Sequence, residues 1–433
     1  MTAKHSASAT RWQKLKHKLD KSAQAIGPGV VTGAADDDPG GVATHSQAGA
    51  QFGYGLLWTV PLTFPLVSAV QLICAHIGRV TGKGLGANLA QAFPAWIVTV
   101  LLVLLLVANT INIGADLSAM AASLALVTGG GSHFYVIGFA AISTLLQLYI
   151  PYHRYARILK WLTLSLFAYI GVLLAVDVDW AAAGRGLIWP EGFSRDVLLT
   201  VVAVFGTTIS PYLFFWQSSQ EAEEVADHHE KPLKQTPRKA PAEYRRMRFD
   251  TLLGMAFSNI IALAITIAAA ATLHQQGVTE VGTAADAAEA LRPVAGDFAF
   301  ALFALGIIGT GLLAIPVLAG AGAFAVAEAR GWKSGLEYKP AQARGFYTVI
   351  VLAMLVGVAL DWAQIDPIRA LFLSAVLNGL CAVPIMVAMM LLATRRSVMG
   401  SLPISRSLSW LGWAATAIMA VASVAMLVTQ SAG

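Results

Sequence analysis

Eleven apolar segments, separated by polar stretches, run from residue 25 to residue 428 of this chain. A helix needs about 20 apolar residues to cross the ~30 Å hydrocarbon core of a bilayer. Hydrophobic residues make up 57% of the 433 positions and charged residues only 12%. This balance, with a mean hydropathy of +0.65, is not that of a soluble chain. We therefore predict an all-α polytopic membrane protein and exclude soluble enzymes and nucleic-acid-binding proteins.

The distribution of positive charge tests this number of spans. The predicted spans lie at residues 25–50, 54–78, 97–127, 134–151, 157–176, 197–220, 251–274, 298–327, 346–361, 368–393 and 408–428. With the N-terminus inside, 25 of the 29 Lys and Arg residues fall on the cytoplasmic side and four on the other side, and none lies beyond the first four residues of a span. We therefore predict eleven spans in the inner (plasma) membrane, with a cytoplasmic N-terminus and an external C-terminus.

The polar segments fit this arrangement. Residues 1–24 are basic and lack the compact apolar core of a signal peptide, so they are interpreted as a cytoplasmic tail. The longest insert, 221–250, begins acidic and ends basic, which is typical of a solvated cytoplasmic loop. Cys74 and Cys381 both lie within apolar segments, so no disulfide framework is predicted.

Four carboxylates lie away from the ends of the predicted spans: Asp36, Asp37, Asp38 and Asp116. A charged side chain at the centre of a membrane helix costs about 2.5–3.5 kcal/mol on insertion scales, so it is tolerated chiefly beside an ion, a water-filled cavity or a proton path. Successive helical residues point about 100° apart, so one continuous helix cannot turn three adjacent aspartates toward one cavity. The triplet predicts a broken helix at an ion site, with a simple proline kink as the alternative.

Two proline-containing segments supply such breaks. Residues 39–41 (PGG) remove an amide donor and permit irregular backbone, and the freed carbonyls become possible cation ligands. Residues 206–212 (GTTISPY) interrupt the sixth predicted span in the same way. Paired interruptions are typical of inverted-repeat transporters. We therefore predict two five-span repeats, at 25–176 and 197–393, followed by an additional span at 408–428.

The third predicted span carries a polar stripe. Asn109, Asn112 and Asp116 are spaced i, i+3 and i+7 and so share one helical face. Asp116 is the stronger functional candidate because its charge needs a partner or water. The asparagines could equally join neighbouring helices through hydrogen bonds, and Asn378 in the tenth span has the same two interpretations.

Three motifs resemble the Nramp family of divalent-metal transporters: residues 27–29 (GPG), 38–41 (DPGG) and 48–54 (AGAQFGY). The resemblance extends over nearly the whole chain. It implies an eleven-helix, LeuT-type fold with a 5+5 inverted repeat plus one extra helix, and with helices 1 and 6 broken at the midplane. The metal positions that it implies are Ala35, Asp38, Gly41, Thr207 and Ser210. The wider transport pathway is expected to include Asp36, Asp37, Asn109, Asn112, Asp116, Tyr212, Gln217 and Asn378.

Departures from the family pattern affect the expected ion. The family binds metal with the asparagine of Asp-Pro-Gly-Asn and with a sixth-span methionine, but Gly41 and Ser210 stand here. A thioether favours soft or borderline metals, whereas oxygen ligands favour hard cations such as Mg²⁺. These departures resemble the Nramp-related magnesium transporters. The expected function is therefore uptake of partly hydrated Mg²⁺ by alternating access.

Transport is expected to proceed without obligatory proton coupling. The family's third-span acidic residues correspond by ungapped alignment to Thr110 and Ile113, and its sixth-span histidines to Tyr212 and Gln217. None of these titrates near neutral pH. Asp116, one turn away, could carry a proton if burial raised its pKa.

Several other functions stay open. The main alternative is a proton-coupled Mn²⁺ or Fe²⁺ importer, and another is an exporter of Al³⁺. Two alternatives are not transporters. One is an intramembrane aspartyl protease that uses Asp38 and Asp116, and the other is a receptor that binds metal without transporting it. The expected partners are the divalent ion and the lipid bilayer. No cofactor, nucleic acid or obligate protein partner is expected.

Overall fold

The computed structural model describes residues 27–150, 162–190, 192, 194–336, 338–363 and 365–431. The predicted tail at 1–24 and the start of the fifth predicted span lie outside the described residues. The regular structure of the described residues is helical throughout. Its α-helices are α1 (Pro28–Asp36), α2 (Pro39–Phe52), α3 (Thr59–Thr81), α4 (Leu85–Ala92), α5 (Ala95–Thr128), α6 (Ser132–Tyr149), α7 (Phe167–Ala175), α8 (Trp180–Gly186), α9 (Arg195–Thr208), α10 (Pro211–Asp227), α11 (Ala240–Thr272), α12 (Ala284–Glu289), α13 (Arg292–Ala295), α14 (Ala299–Arg330), α15 (Arg344–Leu360), α16 (Pro367–Thr394), α17 (Arg396–Met399) and α18 (Arg406–Ser431).

Nine helical segments among the described residues are long and apolar enough to cross a membrane. They correspond to nine of the eleven predicted spans. The first predicted span is divided between α1 and α2, each too short to cross alone. The fifth is described from Leu162–Leu166, a 3₁₀ turn, into α7. The all-α, multi-span fold class is confirmed, and the count of eleven stays a prediction.

Both predicted helix breaks occur at their prolines. α1 ends at Asp36 and α2 begins at Pro39, while α9 ends at Thr208 and α10 begins at Pro211. A proline at the first helical position loses no hydrogen bond, because that amide has no partner within the helix, and its fixed φ suits the start of a helix. The prolines therefore start the second halves and leave the preceding residues in non-helical backbone.

The two broken helices pack against each other and against close neighbours. α1 contacts α10 and α2 contacts α9, as expected for two broken helices that cross antiparallel. α11 lies along both α1 and α2, and α16 lies along α9. A Cβ on Gly33 would collide with the backbone of Gly254, and one on Gly206 with the backbone of Ala375. Glycine thus permits the backbone contacts that fix both broken helices.

The loop predicted at 221–250 is shorter in the structure. α10 continues to Asp227 and α11 begins at Ala240. Arg246 on α11 pairs with Glu221 at 3.1 Å and with Glu224 at 2.8 Å on α10. The acidic and basic ends that suggested a solvated loop are therefore two helix ends joined by ion pairs.

Candidate metal site

Asp38 caps the N-terminus of α2, and its carboxylate is 2% exposed. Its Oδ1 accepts a hydrogen bond from the Gly41 amide at 2.7 Å. Its Oδ2 accepts from Asn112 Nδ2 and from Tyr212 Oη, each at 3.3 Å. All three donors are neutral, so they orient the carboxylate without neutralising its charge. A buried carboxylate held in this way is suited to bind a cation.

The end of α1 presents the Ala35 carbonyl to the same place. Tyr212 Oη also lies 3.1 Å from Ala35 O and can donate to it. Since one hydroxyl has one proton, Tyr212 donates either to Ala35 or to Asp38 at any moment. The last carbonyls of a helix lack partners within the helix, so they can accept such donors or bind a cation.

Oxygen atoms surround the open space at Gly41. A Cβ at this position would lie 3.3 Å from Asp36 O, 3.6 Å from Asp38 Oδ1 and 3.6 Å from Thr207 Oγ1. A carbonyl, a carboxylate and a hydroxyl therefore converge where the glycine has no side chain. Oxygen ligands of these kinds suit hard divalent cations, including Mg²⁺, Ca²⁺ and Mn²⁺.

Ser210 caps the break in the second broken helix. Its hydroxyl lies 2.6 Å from Gly206 O and 2.8 Å from Thr207 O, both at the end of α9. The Ser210 hydroxyl therefore donates its proton to carbonyls that have no partner within the helix. Its oxygen keeps lone pairs that can bind a cation.

The described residues contain no cluster of three or more His, Cys, Asp or Glu side chains arranged to hold a metal. A cation in this site would therefore be bound by one carboxylate together with carbonyl and hydroxyl oxygens.

The polar stripe on α5 divides into two roles. Asn112 donates to Asp38, and its Oδ1 accepts from Ser374 Oγ at 2.8 Å, so it links the site to α16. Asn109 instead donates to Leu318 O at 2.8 Å and joins α5 to α14. Asn112 therefore belongs to the site, whereas Asn109 has the interhelical role that was its alternative.

Asp116 is completely buried, and neither of its carboxylate oxygens has a hydrogen-bond partner within the described residues. A buried carboxylate without a donor or an opposite charge is costly in its charged form. Its setting therefore requires a proton, a cation or water.

Two further pathway candidates are buried but have different partners. Gln217 on α10 accepts a short hydrogen bond from Thr32 Oγ1 on α1. Asn378 on α16 has a side-chain oxygen without a hydrogen-bond partner among the described residues. Gln217 therefore joins α1, the first half of one broken helix, to α10, the second half of the other.

The three adjacent aspartates do not share one environment. Asp36 Oδ2 accepts from Ser258 Oγ on α11 at 2.6 Å, away from the donors of Asp38. Asp36 and Asp37 line a small cavity with residues of α11. Sequence reasoning missed Ser258 and Ser374. The signal for Ser258 was the polar pair 258–259 within an otherwise apolar span.

Comparison with known proteins identifies relatives that match most of the chain. A family model described as "Natural resistance-associated macrophage protein-like" matches residues 29–429. "Divalent metal cation transporter MntH" of Acidiphilium cryptum (strain JF-5) is 27% identical over 402 residues, 87% of this chain and 84% of that protein. The protein of the same name from Yersinia pestis (strain Pestoides F) is 29% identical over 303 residues, 66% of this chain and 68% of that protein.

Solved structures share the fold at low sequence identity. The Eremococcus coleocola manganese transporter, in complex with an aromatic bis-isothiourea substituted compound, has a TM-score of 0.74 and 17% identity, covering 95% of this chain and 88% of that one. MhsT in complex with L-phenylalanine has a TM-score of 0.59 and 14% identity, covering 93% and 98%. Mhp1, a nucleobase-cation-symport-1 family transporter, has a TM-score of 0.56 and 16% identity, covering 93% and 90%. The expected LeuT-type fold is confirmed.

Proposed function

Because the chain belongs to the Nramp (natural resistance-associated macrophage protein-like) family, we propose that it transports divalent metal cations, Mn²⁺ in particular, into the cell. It is a multi-pass membrane protein of a transporter family and not an enzyme. Two relatives are named divalent metal cation transporters, and a structure with the same fold is a manganese transporter. The hypothesis of an intramembrane protease is therefore rejected.

The observation that carries the proposal is the setting of Asp38. Its buried carboxylate lies at the break of the first helix and is held by neutral donors from α2, α5 and α10. Since α1 contacts α10 and α2 contacts α9, a movement of one repeat against the other changes the walls of this site. Such relative movement around a fixed site is how alternating access proceeds in folds of this kind.

The choice of ion follows from the ligands and the relatives together. The Mg²⁺ expectation rested on Ser210 in place of the family's methionine and on Gly41 in place of its asparagine, and the relatives do not support it. Carboxylate, carbonyl and hydroxyl oxygens suit Mn²⁺ as well as Mg²⁺. We propose Mn²⁺ as the preferred ion, with weak discrimination against Mg²⁺ because the site offers no sulfur.

The burial of Asp116 bears on proton coupling. Transport without obligatory coupling was expected from Thr110 and Ile113 on α5 and from Tyr212 and Gln217 on α10. Asp116 on α5, however, is buried without a hydrogen-bond partner for either oxygen among the described residues. A carboxylate in that position gains from taking up a proton or from a nearby cation. We propose that Asp116 carries a proton during transport, which favours the proton-coupled alternative.

Flux in proteoliposomes tests the proposal. Purified protein is reconstituted, and uptake of Mn²⁺, Mg²⁺ and Ca²⁺ is compared at equal concentration and fixed membrane potential. The proposal expects uptake of Mn²⁺ at least as fast as that of Mg²⁺. Uptake of Mg²⁺ with exclusion of Mn²⁺ would restore the magnesium reading, and binding without flux would identify a receptor.

A further inference from the structure

A small cavity lies beside the Asp38 site, between α2, α9 and α11. Its walls include Asp36, Asp37, Thr208, Ser258 and Asn259. Gly41 and Thr207 form the wall that it shares with the Asp38 site. The cavity has room for about one water-sized particle.

Two carboxylate oxygens of residues that line this cavity lack partners among the described residues. Asp36 is 5% exposed and Asp37 is 7% exposed, so both side chains are more than nine-tenths buried. Asp36 Oδ2 accepts from Ser258, but neither Asp36 Oδ1 nor Asp37 Oδ2 has a hydrogen-bond partner among the described residues. The cavity lining contains no Lys or Arg. Two acidic groups therefore face a small space without a fixed positive charge.

Further oxygens in the lining complete a cation environment. Ser258 supplies a hydroxyl, and Thr208 supplies another whose proton is directed to Val204 O at 2.9 Å. Asn259 also lines the cavity, but its amide nitrogen donates to Met255 O at 2.9 Å and its oxygen accepts from Thr63 Oγ1 at 3.3 Å, so it is not counted as a ligand. Buried carboxylate and hydroxyl oxygens are ligands that hard cations prefer.

We propose that Asp36 and Asp37 form a second cation site, separate from the transported-ion site at Asp38. The site takes a hard cation that gives up its water readily, such as Na⁺ or Ca²⁺. Mg²⁺ fits less well because it usually keeps several waters, and the cavity has room for about one. An ion here lies behind the wall formed by Gly41 and Thr207, so its charge acts on an ion at Asp38.

The site is tested by direct ion binding, independently of transport. The Asp38→Ala variant, which lacks the main carboxylate of the transport site, is purified and its binding of ²²Na⁺ and ⁴⁵Ca²⁺ is measured separately. The proposal predicts about one bound ion per protein for at least one of the two. Selective binding of Na⁺ or of Ca²⁺ identifies which hard cation the site takes. Binding of neither ion at any pH from about 6 to about 8.5 overturns the proposal.

Variants in the same Asp38→Ala background locate the bound ion. Asp36→Asn and Asp37→Asn should each weaken binding roughly tenfold or more, because each removes a charged ligand. Ser258→Ala keeps both carboxylates and should weaken binding several-fold. It therefore tests whether the ion binds in this cavity if the aspartate variants do not fold. Asp297→Asn, an exposed carboxylate outside the spans, is the matched control and should leave binding unchanged. Binding that survives the cavity substitutions lies elsewhere and overturns the assignment.

Discussion

Tyr212 Oη lies 3.3 Å from Asp38 Oδ2, and the same oxygen lies 3.1 Å from Ala35 O. The phenol of α10 therefore reaches the carboxylate and the carbonyl that are expected to bind the metal at the break of the first helix. A cation that binds both groups competes with this proton donor for their lone pairs. Tyr212 thus links the second broken helix to the first through the metal ligands themselves.

Tyr212→Phe should strengthen Mn²⁺ binding. A hydrogen bond to a charged group contributes about 1.5–3 kcal/mol, and the tyrosine hydroxyl competes with the metal for the same oxygens. Its removal leaves Asp38 with one fewer donor, so we expect the Kd for Mn²⁺ to fall by roughly tenfold in calorimetric titration. Tyr169→Phe, which changes a buried tyrosine on α7, is the control. Weaker binding in Tyr212→Phe would instead identify the hydroxyl as a metal ligand.

Ser210→Met should shift transport toward transition metals. A thioether at this position favours softer ions, so the ratio of Mn²⁺ to Mg²⁺ uptake should rise several-fold. The same change removes the hydroxyl that donates hydrogen bonds to Gly206 O and Thr207 O, which should lower the free energy of unfolding by about 1 kcal/mol. Ser210→Ala loses the same hydroxyl without gaining sulfur, so it separates the two effects. An equal shift in both variants would show that the hydroxyl, and not the thioether, sets the preference.

Asp116→Asn should abolish metal-dependent proton movement. The substitution keeps the shape of the side chain but removes the group that takes up a proton. Liposomes loaded with a pH-sensitive dye should acidify during Mn²⁺ uptake by the wild type and should not do so with the variant. If the wild type takes up Mn²⁺ without acidification, transport is uncoupled and the role given to Asp116 is wrong.

Asp250→Ala should loosen α1 without affecting α2. Asp250 accepts hydrogen bonds from the Gly27 amide at 3.0 Å and the Gly29 amide at 2.6 Å, so it caps the first helix from α11. A lost cap of this kind costs about 0.5–2 kcal/mol. Amide hydrogen exchange should rise by roughly tenfold in α1 and stay unchanged in α2. Asp227→Ala, an exposed acidic residue at the end of α10, should change neither helix.

Local sequence was sufficient to locate both helix breaks. Proline and glycine have strong backbone preferences, so residues 39–41 and Pro211 indicated where regular helix ends. The cost of charge in a membrane likewise singled out the four aspartates away from the ends of the predicted spans. The helix breaks depend on residues that are neighbours in the chain, and the cost of a charge depends on whether its segment lies in the membrane. Both can be inferred from the sequence alone.

The directions of the aspartate side chains could not be read in the same way. Asp36 ends α1, Asp37 has non-helical backbone and Asp38 caps α2, so the dihedral angles of three residues decide which neighbour each one meets. The partners Ser258 and Ser374 come from distant helices whose contacts no local pattern specifies. The length of the 221–250 insert was misjudged because charges that looked solvated form ion pairs between α10 and α11.

The central claim is that Asp38 binds the transported metal. Its most direct test compares Mn²⁺ binding and uptake by the wild type and Asp38→Asn, which keeps the side-chain shape and removes the charge. The expected result is a loss of saturable Mn²⁺ binding and uptake in a folded, monodisperse variant, with Asp297→Asn unchanged. If folded Asp38→Asn binds and takes up Mn²⁺ as well as the wild type does, the claim is contradicted.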